Sequence, residues 1–361
     1  MPEVPPSLPA NRRRRVLVAL SGGVDSSVAA LRLVQAGHEV IGVFMRNGVS
    51  GGANAAARER SCCSASDARD AADVADRLGI PFYSLDYERE FSALIDHFAA
   101  EYRRGRTPNP CVLCNQHLKF GHVLSLADAL GASQVATGHY ARIHDGRLRR
   151  AVDRDKDQTY YLFGIDAGLL PRICFPLGDL DKPQVRAMAH EAGLVTAAKR
   201  ESMEICFVPD GRYREVVRTR GGAGTAGVFV DREGRVLGEH DGVDGFTVGQ
   251  RRGLPALGTP HFVTQIRPAD GTVVLGERAA LEATEALVRD VNWLAPPATR
   301  AAVQIRARAK PQPARVEALD ADATRLRVTF AEPVSAVTPG QAAVFYDGDV
   351  VLGGGWIDGP P

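Results

Sequence analysis

The first half of the chain alternates short apolar runs with amphipathic stretches. Residues 15–20 form an apolar run that predicts a buried strand, residues 26–36 have helical spacing that ends at Gly37, and residues 38–45 predict a second strand. The same alternation predicts helices over 66–78, 91–103 and 118–130, and strands over 81–85 and 134–137. Strands that alternate with helices are typical of a parallel sheet covered on both faces. The pattern therefore predicts an α/β fold with a doubly wound parallel sheet.

The pattern changes after the glycine-rich stretch at residues 221–224, which suits a linker. Helical spacing is largely lost, and turn-forming residues predict two β-hairpins, over 227–236 and 263–275. From about residue 288 apolar and polar residues tend to alternate, and Asp347-Gly348 predicts a further hairpin. Short regular strands favour a compact barrel. We expect three domains: an α/β domain at 12–220, a small β-rich domain at 221–285 and a C-terminal β-barrel at 286–361.

Length, charge and cysteine content narrow the class of protein. A single core rarely grows beyond about 250–300 residues, so 361 residues agree with several domains. The 44 basic and 43 acidic residues nearly balance, so any nucleic-acid binding must rest on local clusters. No apolar run approaches the ~18 residues of a membrane span, so we expect a cytoplasmic protein without a membrane partner. Six cysteines are too few for a secreted disulfide scaffold, and any disulfide is expected to be transient and catalytic.

A glycine-rich loop, Ser21 to Ser27, lies between the first predicted strand and helix. Its glycines let backbone N–H groups converge on an anion, and the helix N-terminus adds positive partial charge, so phosphate is the expected ligand. The loop lacks the Lys of a Walker motif, which disfavours γ-phosphate transfer. A plain strand-to-helix turn is the alternative. Asp25 has two equal interpretations: it orients Mg²⁺ with the ATP phosphates, or it caps the helix.

This loop resembles the PP-loop of ATP pyrophosphatases, whose fold is adenine nucleotide alpha hydrolase-like. The resemblance implies cleavage of ATP to AMP and diphosphate, with Mg²⁺ accompanying ATP. The ATP contacts that it implies are Ala19, Leu20, Ser21, Gly22, Gly23, Val24, Asp25, Ser26, Met45 and Gly138.

Further motifs narrow the family. They are GRTPNPCVLCN at 105–115, ATGHY at 136–140, DKDQTYYL at 155–162, SMEICF at 202–207, FTVGQRRG at 246–253, TPGQ at 338–341 and LGGG at 352–355. Together they resemble the tRNA-specific 2-thiouridylases (the MnmA family) over about residues 16–357. The resemblance implies ATP-dependent 2-thiolation of the wobble uridine (U34) of tRNA, by adenylation of the C2 oxygen. A cysteine persulfide would supply the sulfur, and a cysteine desulfurase or sulfur relay protein would load it.

The resemblance also assigns cysteine roles. It implies that Cys206 carries the persulfide and that Cys114 is the nucleophile that forms a disulfide with it. Thiolates are needed at each exchange step. The alternatives are a buried, inert Cys206, and a metal or iron–sulfur site at Cys111 and Cys114 with Cys206 as a third ligand. We expect no permanent metal. Cys62 and Cys63 are expected to be structural or incidental, and Cys174 to belong to the core.

The tRNA contacts implied by the resemblance are Asn109, Pro110, Cys111, His139, Lys156, Asp157, Gln158, Arg306, Ala307 and Gln341. Cys111 stands where an aspartate often follows Asn-Pro, so we expect it only to contact the target base. For His139 a satisfied structural histidine is the alternative. The basic residues at 306, 308, 310 and 315 would grip phosphates or else form a solvated strand face. The rival functions are a PP-loop ligase or amidotransferase acting on a small metabolite, and an RNA-binding or sulfur-carrier protein.

Overall fold

The structure is a computed structural model that describes residues 13–48, 65–201, 205–208 and 211–360. Cys62 and Cys63 lie outside these residues. The described chain forms two compact units. The first contains residues up to 93, 111–211 and 349–351, and the second contains 94–110, 212–348 and 352–360.

The first unit is built on a five-stranded parallel sheet. Its strands are β1 (Arg15–Ala19), β2 (Glu39–Arg46), β3 (Phe82–Asp86), β4 (Gln134–Thr137) and β7 (Ile173–Cys174), and a separate hairpin is formed by β5 (Ala141–His144) and β6 (Arg147–Arg150). The helices are α1 (Val24–Gln35), α2 (Ala65–Leu78), α3 (Glu88–Arg103, which continues into the second unit), α4 (Pro110–Leu113), a π-helix (Cys114–His122), α5 (Val123–Ala129) and α6 (Lys182–Glu191). The strand order is β3-β2-β1-β4-β7, and every pairing is parallel. The predicted doubly wound α/β sheet is confirmed.

Helix α1 is buried on two sides. Alternate residues of β1, Val16 and Val18, pack against Ala30 and Leu33 of α1 in one apolar cluster that also includes part of α2. Other α1 residues, including Val28, pack against α6 in a second cluster. Because two layers hold α1, its N-terminus has a fixed position relative to the sheet.

The strand order puts a topological switch point between β1 and β4. β1 lies between β2 and β4, and Ala19 at the end of β1 is in register with Thr137 at the end of β4. After β1 the chain continues to β2 on one side, and after β4 it goes on to β7 on the other side. Doubly wound sheets bind ligands at such a point, outside the carboxyl ends of the strands. The loop at 20–23 and the residues after Thr137 therefore face each other.

Two local features of this unit differ from the sequence-based expectation or add to it. The helix predicted over 118–130 is preceded by further helical turns: α4 begins at Pro110, the π-helix continues from Cys114, and the chain is α-helical again from Val123. Residues 115–117 are polar, so the apolar periodicity gave no indication of the earlier start. The β5–β6 hairpin, which was not predicted, turns at Asp145-Gly146, and both residues have the positive φ that two-residue hairpin turns require.

The second unit begins with a helix and a four-stranded sheet. Its elements are α7 (Tyr213–Gly221), β8 (Gly227–Val230), β9 (Val236–His240), β10 (Phe262–Arg267) and β11 (Thr272–Gly276). Both predicted hairpins are present, and they join through a parallel pairing of β8 with β11. The core between them is aromatic and β-branched, including Phe229, Phe246 and Val273. The predicted small β-rich domain is confirmed.

The rest of the second unit is a closed antiparallel barrel. Its strands are β12 (Glu282–Trp293), β13 (Arg300–Gln304), β14 (Gln312–Ala318), β15 (Leu326–Ser335), β16 (Ala342–Asp347) and β17 (Val350–Gly359). The order is β12-β15-β14-β13-β16-β17, and β12 pairs with β17 to close it. In β15 the buried residues alternate from Leu326 to Phe330, as the sequence pattern predicts. Residues 349–351 belong to the first unit, where Val350 pairs with Arg149. In the described parts of both units, no helix is long and apolar enough to span a membrane.

Candidate functional site

The loop between β1 and α1 is folded back onto the helix by its own hydroxyl groups. The backbone N–H of Ser21 donates to the Ser26 hydroxyl at 3.0 Å, and the hydroxyls of Ser26 and Ser27 donate to the Gly23 carbonyl at 3.1 and 2.9 Å. Gly23 is the N-cap of α1, and within the described loop no side chain caps the helix. The helix N-terminus therefore keeps backbone donors and positive partial charge for an anion.

Two glycines allow this loop to be packed tightly. Gly22 has φ +70°, and a Cβ on it would lie 2.3 Å from the carbonyl oxygen of Asp67 at the start of α2. A Cβ on Gly138, just after β4, would lie 2.6 Å from the backbone nitrogen of Ser26. The loop is thus confined between α2 and the end of β4, and only glycine fits at either position.

The remaining residues of the predicted ATP site lie at the same carboxyl edge of the sheet. Ala19 ends β1, Leu20 follows it and donates its N–H to the Val43 carbonyl, and Met45 is near the end of β2. Gly138 comes directly after β4. The structure therefore gathers these positions at the carboxyl ends of β1, β2 and β4, although Ala19 and Gly138 are over a hundred residues apart in sequence.

Asp25 lies in the first turn of α1 and is held by two side chains that the sequence did not single out. The Lys182 ammonium donates to both carboxylate oxygens, at 2.7 and 2.9 Å, and the Tyr140 hydroxyl donates at 3.0 Å. Burial, and then the charge of Asp25, raise the pKa of Tyr140, so it stays a neutral donor. Asp25 therefore does not act as a helix cap, and Lys182 compensates its negative charge beside the loop.

A second carboxylate, Glu201, extends this network. Its two oxygens lie 3.0 Å from the Lys182 ammonium and 2.7 Å from that of Lys156. Burial pushes the pKa of Glu201 upward, but hydrogen bonds from Lys156 and Lys182 outweigh it and hold that pKa below its usual value. Two lysines and two carboxylates thus form one charged network next to the loop between β1 and α1.

The three predicted tRNA contacts at 156–158 have different environments. Lys156 keeps a third of its side chain exposed. Asp157 is almost fully buried and accepts hydrogen bonds from Arg150 and from the Ala151 N–H, and Gln158 accepts from the Tyr140 N–H. The structure therefore uses the Asp157 and Gln158 side chains to order their own loop, and leaves Lys156 at the surface.

Cys111 and Cys114 lie one turn apart where α4 becomes a π-helix, and both are partly exposed. Asn115 is buried and donates to the Tyr161 carbonyl at 2.9 Å, which anchors the start of the π-helix. Widened π turns are frequent at functional sites because they aim side chains out of the regular helical register.

The π-helix also carries Lys119, which contacts His139. The Lys119 ammonium lies 3.4 Å from Nε2 of His139, and Nδ1 lies 2.7 Å from the Thr137 hydroxyl. Burial, and then the charge of Lys119, lower the pKa of His139 well below its usual value. A neutral imidazole that accepts from Lys119 on Nε2 carries its proton on Nδ1. The geometry supports the interpretation of His139 as a satisfied structural residue that positions Lys119.

Cys206 lies on a turn in which the Val208 N–H donates to the Ile205 carbonyl at 2.8 Å. Phe207 and Val208 are buried and anchor the turn, whereas Cys206 is partly exposed, so the fully buried alternative does not hold for it. Cys174 contrasts with it: it packs against the core, and burial raises its pKa to about 12. Among the described residues, no group of three or more His, Cys, Asp or Glu side chains is arranged to hold a metal ion.

The second unit brings together other predicted tRNA contacts. Gln341 donates to the Thr107 carbonyl at 3.0 Å, two residues before the buried Asn109-Pro110. The Arg306 guanidinium donates to the Thr338 hydroxyl at 3.2 Å and to nearby carbonyls. Segments 107–110 and 338–341 and Arg306 therefore share one region.

The four basic residues at 306, 308, 310 and 315 have two kinds of environment. Arg306 is used for these internal contacts, and the Ala307 carbonyl accepts from Gln304. Arg308, Lys310 and Arg315 are exposed. The exposed members are thus the ones free to meet solvent or a polyanion.

Comparison with known proteins covers nearly the whole chain. Family profiles match residues 14–210 ("tRNA methyl transferase HUP domain"), 215–277 ("tRNA methyl transferase PRC-barrel domain") and 283–357 ("Aminomethyltransferase beta-barrel domain"). A solved 4-thiouridine synthetase in complex with RNA and ATP matches at 15% identity and a TM-score of 0.36, over 57% of this chain and 51% of that one.

Curated relatives are much more similar. The tRNA-specific 2-thiouridylases MnmA of Geotalea uraniireducens and Carboxydothermus hydrogenoformans are 49% and 48% identical, each over 96% of this chain and over 96% and 98% of their own lengths. That of Rhodopirellula baltica is 45% identical over 95% of this chain and 96% of its own. The chain therefore belongs to the tRNA-specific 2-thiouridylase (MnmA) family.

Proposed function

We propose that this chain is a tRNA-uridine 2-sulfurtransferase that replaces the C2 oxygen of the wobble uridine (U34) with sulfur at the expense of ATP. The observation that carries the proposal is the uncapped, glycine-packed loop at the sheet's switch point, in the same unit as the partly exposed Cys114 and Cys206. Membership of the family supports tRNA as the substrate, and we propose that the chain acts in the cytoplasm.

The first step is activation of the C2 oxygen. The loop amides and the N-terminus of α1 would bind the ATP phosphates, and Gly138 would leave room for close approach. The C2 oxygen attacks the α-phosphorus, diphosphate leaves, and C2 now carries AMP as a leaving group. Mg²⁺ is usually held by one or two carboxylates together with substrate phosphates, and Asp25, in the first turn of α1, is the carboxylate that would hold it.

The second step is sulfur transfer. The terminal sulfur of a Cys206 persulfide attacks C2 and AMP leaves, which joins C2 to Cys206 through two sulfurs. The Cys114 thiolate then attacks the Cys206 sulfur, the sulfur–sulfur bond breaks, and its electron pair becomes the C2 thiocarbonyl. Both cysteines are oxidised to a disulfide while the transferred sulfur is reduced, so a cellular thiol or dithiol must reduce the pair before the next turnover.

The tRNA partner would be bound by both units. We propose that Cys111 contacts the target base, which must leave its stack to reach the cysteines, and that Lys156 contacts a nearby nucleotide. In the second unit, segments 107–110 and 338–341 and the exposed arginines after β13 are the proposed contacts. We retain the division into domains at 12–220, 221–285 and 286–361, with the barrel binding tRNA. A cysteine desulfurase or relay protein would load Cys206.

The activation step has a direct isotopic test. A tRNA anticodon stem-loop carrying ¹⁸O at C2 of U34 is reacted with ATP, and the released AMP is analysed by mass spectrometry. The proposal predicts one ¹⁸O atom in AMP for each thiolated uridine. AMP with only ¹⁶O would refute adenylation of the C2 oxygen.

The cysteine roles are separable in the same system. In a single turnover with pre-loaded persulfide, Cys206→Ser should form no bond to the RNA, because it cannot hold the sulfur. Cys114→Ser should accumulate RNA joined to Cys206, which a reducing agent releases as thiolated RNA. Cys174→Ser is the matched control and should transfer sulfur normally, because Cys174 is a core thiol.

A further inference from the structure

Lys199 connects the loop between β1 and α1 to helix α2. Its ammonium donates to the Gly22 carbonyl at 2.8 Å and to the Asp67 carboxylate at 2.6 Å, and it also contacts the Asp70 carboxylate. Asp67 and Asp70 are three residues apart in α2, so both carboxylates lie on one face of the helix. One side chain therefore holds the loop against that face, at the glycine whose Cβ would meet the Asp67 carbonyl.

All three protons of this ammonium are used. An ammonium donates three hydrogen bonds and accepts none, and Lys199 has three acceptors in place. Burial alone would lower the pKa of Lys199, but hydrogen bonds and charge from Asp67 and Asp70 outweigh it and raise that pKa. The Asp67 side chain is only 8% exposed, and removing one partner of a buried pair is costly. Lys199 therefore acts on the loop itself, because these contacts leave it no donor for a phosphate.

The position of Lys199 is set by the layer that also holds α1. Arg186 of α6 donates to the carbonyls of Ala197 and Lys199, at 3.1 and 3.3 Å. Helix α6 packs against α1 in one apolar cluster. The ammonium that binds the Gly22 carbonyl is thus anchored to the same helices that position the N-terminus of α1.

The contact with Lys199 also fixes the direction of an amide in the loop. In a planar trans peptide the N–H points away from the C=O. Because the Gly22 carbonyl is held by Lys199, the Gly23 N–H of the same peptide points to the opposite side. Among the residues that the structure describes, none accepts a hydrogen bond from this N–H, which belongs to the N-cap of α1. Glycine on both sides lets the peptide turn at little steric cost, so its direction depends on the external contact.

We propose that Lys199 is a positioning residue for the ATP phosphates. It keeps the peptide between Gly22 and Gly23 turned with its carbonyl toward α2, so that the Gly23 N–H faces the phosphates. The opposite orientation would direct the partial negative charge of the carbonyl oxygen at the phosphates and weaken their binding. The inference rests on the proposed function, because it takes ATP as the ligand of the loop.

The experiment measures ATP binding by calorimetric titration in full-length variants. Hydrogen bonds to charged groups contribute more than neutral ones, so loss of one amide contact in Lys199→Met should raise the ATP dissociation constant about tenfold or more. Arg77→Met is the matched control, because Arg77 is another long cation that connects α2 to a carbonyl, that of Ala192, without touching the loop. It should keep wild-type ATP affinity.

Two further measurements separate orientation of the peptide from a general loss of structure. Adenosine carries no phosphate, so its inhibition constant against a fluorescent ATP analogue should be the same in Lys199→Met and the wild type. The double variant Lys199→Met with Asp70→Asn leaves less unpaired negative charge. It should therefore be more stable in urea unfolding than Lys199→Met alone, yet bind ATP as weakly.

Three results would overturn the role of Lys199 while the proposed function stands. They are wild-type ATP affinity in folded Lys199→Met or in the double variant, an equal loss of ATP affinity in Arg77→Met, and a parallel loss of adenosine affinity in Lys199→Met. If the folded wild type does not bind ATP at all, the proposed function itself fails.

Discussion

Replacing Gly138 by alanine tests how the loop between β1 and α1 and the start of α1 pack against the end of β4. The added Cβ would lie 2.6 Å from the backbone nitrogen of Ser26 and 2.7 Å from the backbone carbon of Asp25. Both are backbone atoms of a helix that is packed on two sides, so no flexible side chain can move aside. To reach even a 3.0 Å contact, the start of α1 must move about 0.4 Å away from β4.

Overpacking of this kind typically costs about 1–3 kcal/mol. Because the displaced atoms belong to the backbone that we propose binds the ATP phosphates, we expect the ATP dissociation constant to rise about tenfold, which corresponds to about 1.4 kcal/mol. Calorimetric titration with ATP measures the affinity, and urea unfolding measures the stability.

Gly37→Ala is the control. Gly37 has φ +79° with open space around it, so alanine there should cost about 1–2 kcal/mol of stability through backbone strain alone. It should leave ATP affinity unchanged. Wild-type ATP affinity in Gly138→Ala, or an equal loss of affinity in both variants, would refute the role of Gly138 in shaping the loop.

Three further predictions concern stability and RNA binding. Asp244 is fully buried and binds the Gly224 N–H and Arg218, so Asp244→Ala should lose about 3 kcal/mol in urea unfolding, whereas exposed Asp241→Ala should change little. Because the folded pKa of His139 is lowered, the unfolded chain gains a proton below about pH 6.5 that the native chain lacks, and stability should fall by up to about 1.4 kcal/mol per pH unit as pH drops. His139→Asn should show a shallower slope between pH 6.5 and 5, and an equal slope would contradict the assignment. Gln341→Ala removes the bond to segment 107–110 and should weaken tRNA binding in filter assays while ATP affinity stays unchanged; undiminished tRNA affinity would contradict it.

The parallel sheet, the hairpins after residue 227 and the loop between β1 and α1 could be predicted because each depends on neighbouring residues. The glycines and serines of the loop act through their own backbone and hydroxyls, and the strand before them is a continuous apolar run. The alternation at 326–330 likewise follows directly from the pleat of β15.

The partners of Asp25 could not be predicted in this way. Lys182 is 157 residues away from Asp25 in sequence. The local pattern shows only that Lys182 is the first residue of a helix, between the capping residues Asp181 and Gln184. That capping box was available in the sequence, but nothing local says which carboxylate the lysine meets. Long-range ion pairs are set by the packing of α1 against α6.

The glycine-rich stretch at 221–224 shows a different limit. Its composition suits a flexible linker, yet Gly224 packs against Asp244 and donates to its carboxylate at 3.0 Å. Glycine here serves close approach to a buried side chain, and composition alone does not distinguish that use from flexibility.

Nucleoside mass analysis of tRNA after reconstitution shows whether this chain thiolates U34. Purified chain is incubated with unmodified tRNA that contains U34, with ATP, Mg²⁺, a persulfide donor and a thiol reductant. We predict 2-thiouridine at position 34, formed only when ATP is present and lost in Cys206→Ser. The prediction is contradicted if the folded protein binds ATP and the donor is competent but no 2-thiouridine forms.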